Sequence, residues 1–211
     1  SVQLRAADTS DGPDTMALMQ AMRTFDDEVP QGIHHAAGVL QDKLVRSMLT
    51  SDLNWTFAPK AVAAARLHAG TAFDSLSALL FFSSAAATFG QLGQANYAAA
   101  NAYMDCTALG RRLCGRTWCS LQIAAVSGAG MGASTFDEAQ LGAIGAVSLD
   151  QFATSLSCAL LFARPATERT LAPLALELLV SSAPSVPALC ELTHDRCNHT
   201  VARPVAAPEA C

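Results

Sequence analysis

Residues 77–83, Ser-Ala-Leu-Leu-Phe-Phe-Ser, form a continuous apolar run with no polar alternation. A strand without a polar face is buried on both sides, as in the centre of a parallel sheet covered by helices. The neighbouring segments agree. Residues 32–36 read as a short buried strand and turn, 117–123 as another strand, and 169–179 as a last one. Residues 1–7 read as the end of a strand. Between them lie helical spacings. Met16, Met19 and Met22 mark a helix over 14–25 with Asp14 as its cap. Ser51 or Asp52 opens a helix running to about residue 68, closed by Gly70 and interrupted at Pro59. Residues 96–113 form a long Ala-rich helix. Residues 124–134 read as a Gly-rich loop, followed by helices over 136–144 and 148–162. Strands alternating with helices imply an α/β fold with a Rossmann-like parallel sheet, helices on both faces. From residue 181 the chain is rich in Pro, Ala and Ser and reads as a linker, leaving one domain over 1–180.

Ligands in such sheets bind beyond the carboxyl ends of the strands. The polar residues there and on the adjoining helices suggest a chemistry. Tyr97 and Asn101 are four apart on one helix and share a face. Ser84 follows the central strand, and Lys60 lies on the helix preceding it. A tyrosine can protonate a carbonyl oxygen, but its free pKa is about 10 and it needs a nearby cation to work near neutrality. Lys60 supplies that charge. The hydroxyl of Ser84 can stabilise negative charge developing on the same oxygen, and Asn101 can hold the lysine or a water. Hydride has to come from a cofactor. Taken singly, each residue has an ordinary reading: a packing Tyr, a strand-end Ser, a solvated Lys, a buried hydrogen-bonding Asn. The set carries the argument.

Four blocks carry a resemblance: His35-Ala36-Ala37-Gly38-Val39-Leu40, Ala58-Pro59-Lys60, Phe82-Ser83-Ser84, and Gly93 to Ala102 with Asn96-Tyr97 and Asn101 at its heart. Together they resemble the ketoreductase (KR) domain of polyketide synthases and the related reductase of animal-type fatty acid synthases, within the short-chain dehydrogenase/reductase superfamily. The resemblance runs from about Val2 to Leu179. Ordinary members of the superfamily carry Lys four residues after the Tyr. Here that position is Asn101 and the lysine is upstream, a mark of the synthase-embedded reductases.

The resemblance implies NADPH-dependent reduction of a β-ketoacyl thioester on an acyl carrier protein, in polyketide or fatty acid biosynthesis, with other synthase domains as further partners. It assigns Tyr97 as proton donor, Ser84 as the second hydrogen bond to the ketone, and Lys60 and Asn101 as completing the tetrad. Cofactor contacts are assigned to Asp8 (adenine), Ala36, Ala37, Gly38, Lys60 and Tyr97. Substrate and stereochemical control fall to Asp42, Asn96 and Met131. Leu40-Gln41-Asp42 keeps the last Asp of one subgroup's Leu-Asp-Asp, and Phe89 stands where the other subgroup has Trp. Leu92 departs from that first subgroup's Pro. The balance leans to the D-configured 3-hydroxyl.

Two departures stand beside the resemblance. No Gly-x-Gly-x-x-Gly precedes the first strand, and this loop binds the pyrophosphate in the family. The chain is therefore expected to be the C-terminal two-thirds of the fold, with weak or no NADPH binding by itself. The family's Trp-Gly-x-Trp is replaced by Ile123-Ala124-Ala125-Val126, which reshapes the acyl pocket or marks decay of activity. The alternative reading is accordingly an inactive structural remnant within a multidomain synthase. A third is a docking module using Arg111, Arg112 and Arg116 against an acidic carrier protein.

Composition excludes other classes. A formal net charge of −5 argues against non-specific nucleic-acid binding. No apolar run is long enough for a membrane helix. Seven cysteines, odd in number and irregular in spacing, fit a reducing compartment, the cytoplasm or a plastid. Cys190, His194, Cys197 and His199 match no common zinc spacing, so no metal is expected.

Overall fold

The computed structural model describes residues 2–25 and 31–162. Three parallel strands, β1 (Gly32–His35), β2 (Ala78–Ser84) and β3 (Trp118–Ile123), form one sheet in that order. Gly32 pairs with Ala78 and His35 with Phe81, while Leu79 pairs with Trp118 and Ser84 with Ile123. Helix α1 (Gly12–Arg23) precedes β1. Between β1 and β2 lie α2 (Thr50–Phe57) and α3 (Ala63–Gly70), joined through a π-helical turn at Ala58–Val62. Short α4 (Ala86–Phe89) and long α5 (Ala95–Leu113) link β2 to β3, and α6 (Gly130–Thr135), α7 (Glu138–Ala143) and α8 (Leu149–Phe162) come after β3.

The lack of alternation in β2 has the anticipated cause. Leu79 and Phe81 point to one face and join Ala64, Met104, Ala108 and Trp118 from α3, α5 and β3. Leu80 points to the other and meets Cys119 and Ala159, with Leu156 and Leu160 of α8 alongside. Trp118 stands edge-on to Phe81 and to His68, with centroids 5.6 and 5.2 Å away. Burial on both faces makes β2 the element that the rest is packed around.

Several boundaries move. Asp11, not Asp14, caps α1, accepting from the Asp14 amide at 3.0 Å, because Pro13 in the first turn starts the helix three residues earlier. Neither Ser51 nor Asp52 is the cap of α2. Leu49 holds that position, and Asp52 reaches back to accept from its amide at 2.8 Å. The expected Gly-rich loop contains α6. Its Gly-Met-Gly-Ala-Ser-Thr sequence carries no helical periodicity, and packing supplies the order. A Cβ on Gly132 would stand 3.0 Å from the Val126 carbonyl oxygen, so only glycine lets α6 lie this close to the exit of β3. Residues 2–7 are exposed and not in a strand, since no neighbouring strand pairs with them among the described residues. The expected strand at 169–179, the linker at 181–211 and the Cys190–His199 cluster lie outside the described residues.

Because Phe81 is fully buried at the junction of β2 with α5, Phe81→Ala is expected to cost about 3–5 kcal/mol. A urea unfolding curve with an unchanged slope and a lowered midpoint checks this.

Candidate active site

The carboxyl ends of β2 and β3 open into a cavity of about 600 Å³. Lys60, Ser84 and Tyr97 all line it, as do Ala36 at the exit of β1 and Met131 of α6. Most of its surface is apolar, contributed by Leu40, Phe82, Phe89, Phe136, Leu149 and Phe152 among others. A parallel bridge between Val126 and Val147 closes the far wall: Ser127 donates to Val147 O at 2.9 Å and Val147 to Ala125 O at 2.8 Å. Residues 127–146 thereby form a loop closed at its base, which places α6 and the end of α7 along the cavity.

Lys60 sits in the π turn and is 2% exposed. Its ammonium donates to the Phe82 carbonyl at 3.0 Å and lies 5.1 Å from the centre of the Tyr97 ring. Burial pulls its pKa down to about 8, while the negative charge of Asp105 works the other way. Gly38 explains how a charged side chain fits there. A Cβ at Gly38 would approach Lys60 Cε to 2.7 Å, so the bare backbone makes room for the lysine stem.

Tyr97 is buried, and burial raises its phenol above the ordinary value, with Asn101 and Ser84 pulling in the opposite direction. Ser84 Oγ accepts from the Ala86 amide at 3.2 Å, which occupies a lone pair and leaves the O–H to donate. Asn101 is fully buried behind Tyr97. Its amide donates to the Tyr97 carbonyl at 2.8 Å, and its Oδ1 is buried without a hydrogen-bond partner among the described residues.

The remaining assignments separate. Asn96, read as a substrate contact, does not line the cavity. Its carboxamide donates to Gln41 O, Asp52 O and Thr56 Oγ1 at 3.0–3.2 Å, fastening α5 to α2 and the loop before it. Asp42 also stands back from the cavity, accepting from Gln94 Nε2 at 3.0 Å, while Lys43 N donates to Gly93 O at 2.7 Å. Both residues shape the rim through their neighbours. Ala37 is exposed outside the cavity. Asp8 is exposed and far along the chain from the cavity lining; Ser10 donates to its carboxylate through N and Oγ at 2.8 and 2.7 Å and holds its pKa low. Arg111 lies 5.8 Å from the Trp118 ring, and exposed Arg116 donates to Ala72 O at 3.2 Å. Sequence reasoning missed the apolar wall from α8 and the Gln91 and Gln94 rim. The apolar positions of α8 were visible, but nothing local says which of them faces a cavity.

Among the described residues no cluster of His, Cys, Asp or Glu could hold a metal, and no helix is long and apolar enough to cross a membrane.

The arrangement has counterparts among known proteins. The family model for the KR domain matches residues 1–128. The spectinabilin polyketide synthase system protein NorB of Streptomyces orinoci is 40% identical over 135 residues, 64% of this chain and 6% of that protein. Polyketide synthase GfsA of Streptomyces halstedii is 50% identical over 90 residues, 43% of this chain and 1% of that protein. An A-type ketoreductase of a modular polyketide synthase superposes with a TM-score of 0.67 at 27% identity, covering 84% of this chain and 42% of its own. The first ketoreductase of the tylosin synthase gives 0.62 at 25% identity, covering 88% and 42%. The chain thus spans a small fraction of its synthase relatives and less than half of these solved ketoreductases.

The construction of the site makes two outcomes measurable. Gly38→Ala is expected to displace Lys60 from the Phe82 carbonyl and to destabilise the protein by about 1–3 kcal/mol, read by chemical denaturation. Asp52 takes hydrogen bonds from Lys43, at 2.8 Å, and from Leu49, which hold its pKa below the ordinary carboxylate value. Its stabilising contribution is present in full above the unfolded pKa of about 3.9 and disappears as pH falls through the lower folded value. The stability gap between wild type and Asp52→Asn is therefore expected to shrink between neutral pH and about pH 3, measured by urea unfolding at each pH.

The parallel sheet, the cavity at its carboxyl edge with Lys60, Ser84 and Tyr97, and these matches agree that the chain belongs to the KR-domain family, the nicotinamide-dependent ketoreductases of polyketide synthases in the short-chain dehydrogenase/reductase superfamily.

Proposed function

We propose that this chain carries the proton-donating half of a β-ketoacyl reductase, reducing a 3-oxoacyl thioester to its 3-hydroxyacyl form with NADPH as the reductant. The observation that carries the proposal is the convergence of Tyr97, Ser84 and Lys60 on one largely apolar cavity. The residues present fit the nicotinamide end of such a cofactor. Ala36 offers a small residue beside the cavity, and Lys60 spends one N–H on Phe82, leaving two for ribose hydroxyls. Lys60, Tyr97 and the Ala36–Gly38 segment would hold it there, and Asp8 would meet the adenine. When bound, the cofactor supplies hydride to the ketone carbon.

The protein's share is to bind and protonate the oxygen. Ser84 donates one hydrogen bond to the ketone and Tyr97 the other, polarising the carbonyl. Burial keeps the Tyr97 phenol protonated, so its proton is in place when negative charge develops on oxygen. The developing alkoxide is the stronger base and takes that proton. The Lys60 ammonium, close to the ring, stabilises the phenolate left behind. Asn101 fixes the helical turn that bears Tyr97. The apolar wall, with Met131 and Phe152, suits an acyl chain and excludes water. An acyl carrier protein would present that chain, and the loop bearing Asp42 would bias delivery toward the D-configured alcohol.

In the intact protein, Tyr97→Phe is expected to lower kcat/KM for a β-ketoacyl thioester by about 10²–10⁴-fold with the fold retained by circular dichroism. Full activity in that variant would remove the assigned role. Wild-type turnover is expected to decline above about pH 8, where Lys60 loses its charge.

A further inference from the structure

Residues 40–43 run along one edge of the cavity, where Leu40 is part of the lining, and belong to no helix or strand. Irregular backbone has no ladder of its own, so its place depends on the partners its polar groups find. Here both neighbours of Asp42 converge on one carboxylate. Lys43 Nζ donates to Asp52 Oδ2 at 2.8 Å and Gln41 Nε2 to Oδ1 at 3.4 Å. Asp52 is 6% exposed and anchored at the start of α2, where the Leu49 amide donates to it at 2.8 Å. Between those neighbours, Asp42 accepts from Gln94 Nε2 at 3.0 Å, and Lys43 N donates to Gly93 O at 2.7 Å. The two segments lie close: a Cβ on Gly93 would stand 3.5 Å from Lys43 N and 3.7 Å from Asp42 Cβ. The turn through Gly93 supplies Gln91 and Gln94 to the cavity lining. One ion pair thus stands behind two stretches of backbone that both reach the ligand space.

We propose that Lys43 and Asp52 are positioning residues for an acyl substrate, their ion pair holding Leu40 and Gln94 at the spacing that receives it. The consequence for turnover rests on the reductase reading above; the brace itself does not. Asp52 is nearly cut off from water, so its oxygens are satisfied by these donors and not by solvent. The Lys43 side chain is 36% exposed, so bringing it to the carboxylate costs little desolvation. Without that ammonium, Asp52 would keep the Leu49 amide, but the loop would reach it only through the longer Gln41 contact. Gln41 O would stay tied to Asn96 Nδ2 at 3.0 Å. The part released is therefore the Asp42–Lys43 end, which is the part that meets Gly93 and Gln94. Neither member of the pair is hydrogen-bonded to Lys60, Ser84 or Tyr97, so the reacting groups keep their own partners.

The test separates the ion pair from the fold around it. Lys43→Met removes the charge and keeps the length of the side chain, whereas Lys43→Arg keeps the charge. In the full chain, hydrogen exchange at the residue 43 amide, which is bonded to Gly93 O, is expected to quicken about 10-fold in Lys43→Met and to stay near wild type in Lys43→Arg, with the β2 amides unchanged in both. In the intact protein, Lys43→Met is expected to raise KM for a β-ketoacyl thioester roughly 3–10-fold while kcat stays within about twofold of wild type, and Lys43→Arg to restore KM. Asp52→Asn, which keeps an acceptor for the Leu49 amide, is expected to give the same split between KM and kcat. Unchanged exchange at residue 43 in Lys43→Met, a loss confined to kcat, or a defect in Lys43→Arg equal to that in Lys43→Met would overturn the proposal. Faster exchange in Lys43→Met beside a wild type that reduces no ketone would leave the brace standing and remove the reductase reading.

Discussion

The arrangement depends on holding one cation where water scarcely reaches. The Lys60 ammonium is 2% exposed and hydrogen-bonded to the Phe82 carbonyl of the central strand. An ion so placed is costly unless its surroundings are built for it. Three independent elements are shaped to that end. The segment after β1 omits a side chain at Gly38, the π turn brings the lysine round to the sheet, and α5 lays an aromatic face against the charge. The cavity is the space left on the open side of that arrangement.

The rim is fastened with comparable care. Asn96 ties α5 to α2 and to the loop at Gln41, while Asp52 collects Lys43, Gln41 and the Leu49 amide. Neither residue touches the cavity, yet between them they set where Leu40 and Gln94 stand along its edge. Of the three residues read as specificity determinants, Met131 lines the cavity, while Asp42 and Asn96 stand behind its rim.

Much of this was legible in the sequence, for a physical reason. The uninterrupted apolar character of 78–82 can arise only where both strand faces are covered, and the i, i+4 spacing of Tyr97 and Asn101 survives any detail of packing. Lys60 was identifiable through its block but not its environment, since the π turn is a product of tertiary contact. The bonds by which Asn96 ties α5 to α2 could not be read locally, since their partners at 41, 52 and 56 are brought to it only by the fold. Helix α6 was invisible because its glycines serve close approach, a property of the Val126 backbone beside it and not of the local chain. The lining drawn from α8 required knowing how the loop over 127–146 is closed by the Val126–Val147 bridge.

The π turn at Ala58–Val62 has a consequence for how such a chain could change over time. It holds one residue more than a regular turn would. Losing a single codon there would let α2 run straight into α3 as ordinary helix, while rotating the downstream residues by about 100°. Such a chain would keep its helices, yet its lysine would no longer meet the strand. Foldedness and competence are encoded here by different residues, so a descendant gene could shed the second while an inventory of its sound helices and strands recorded no loss.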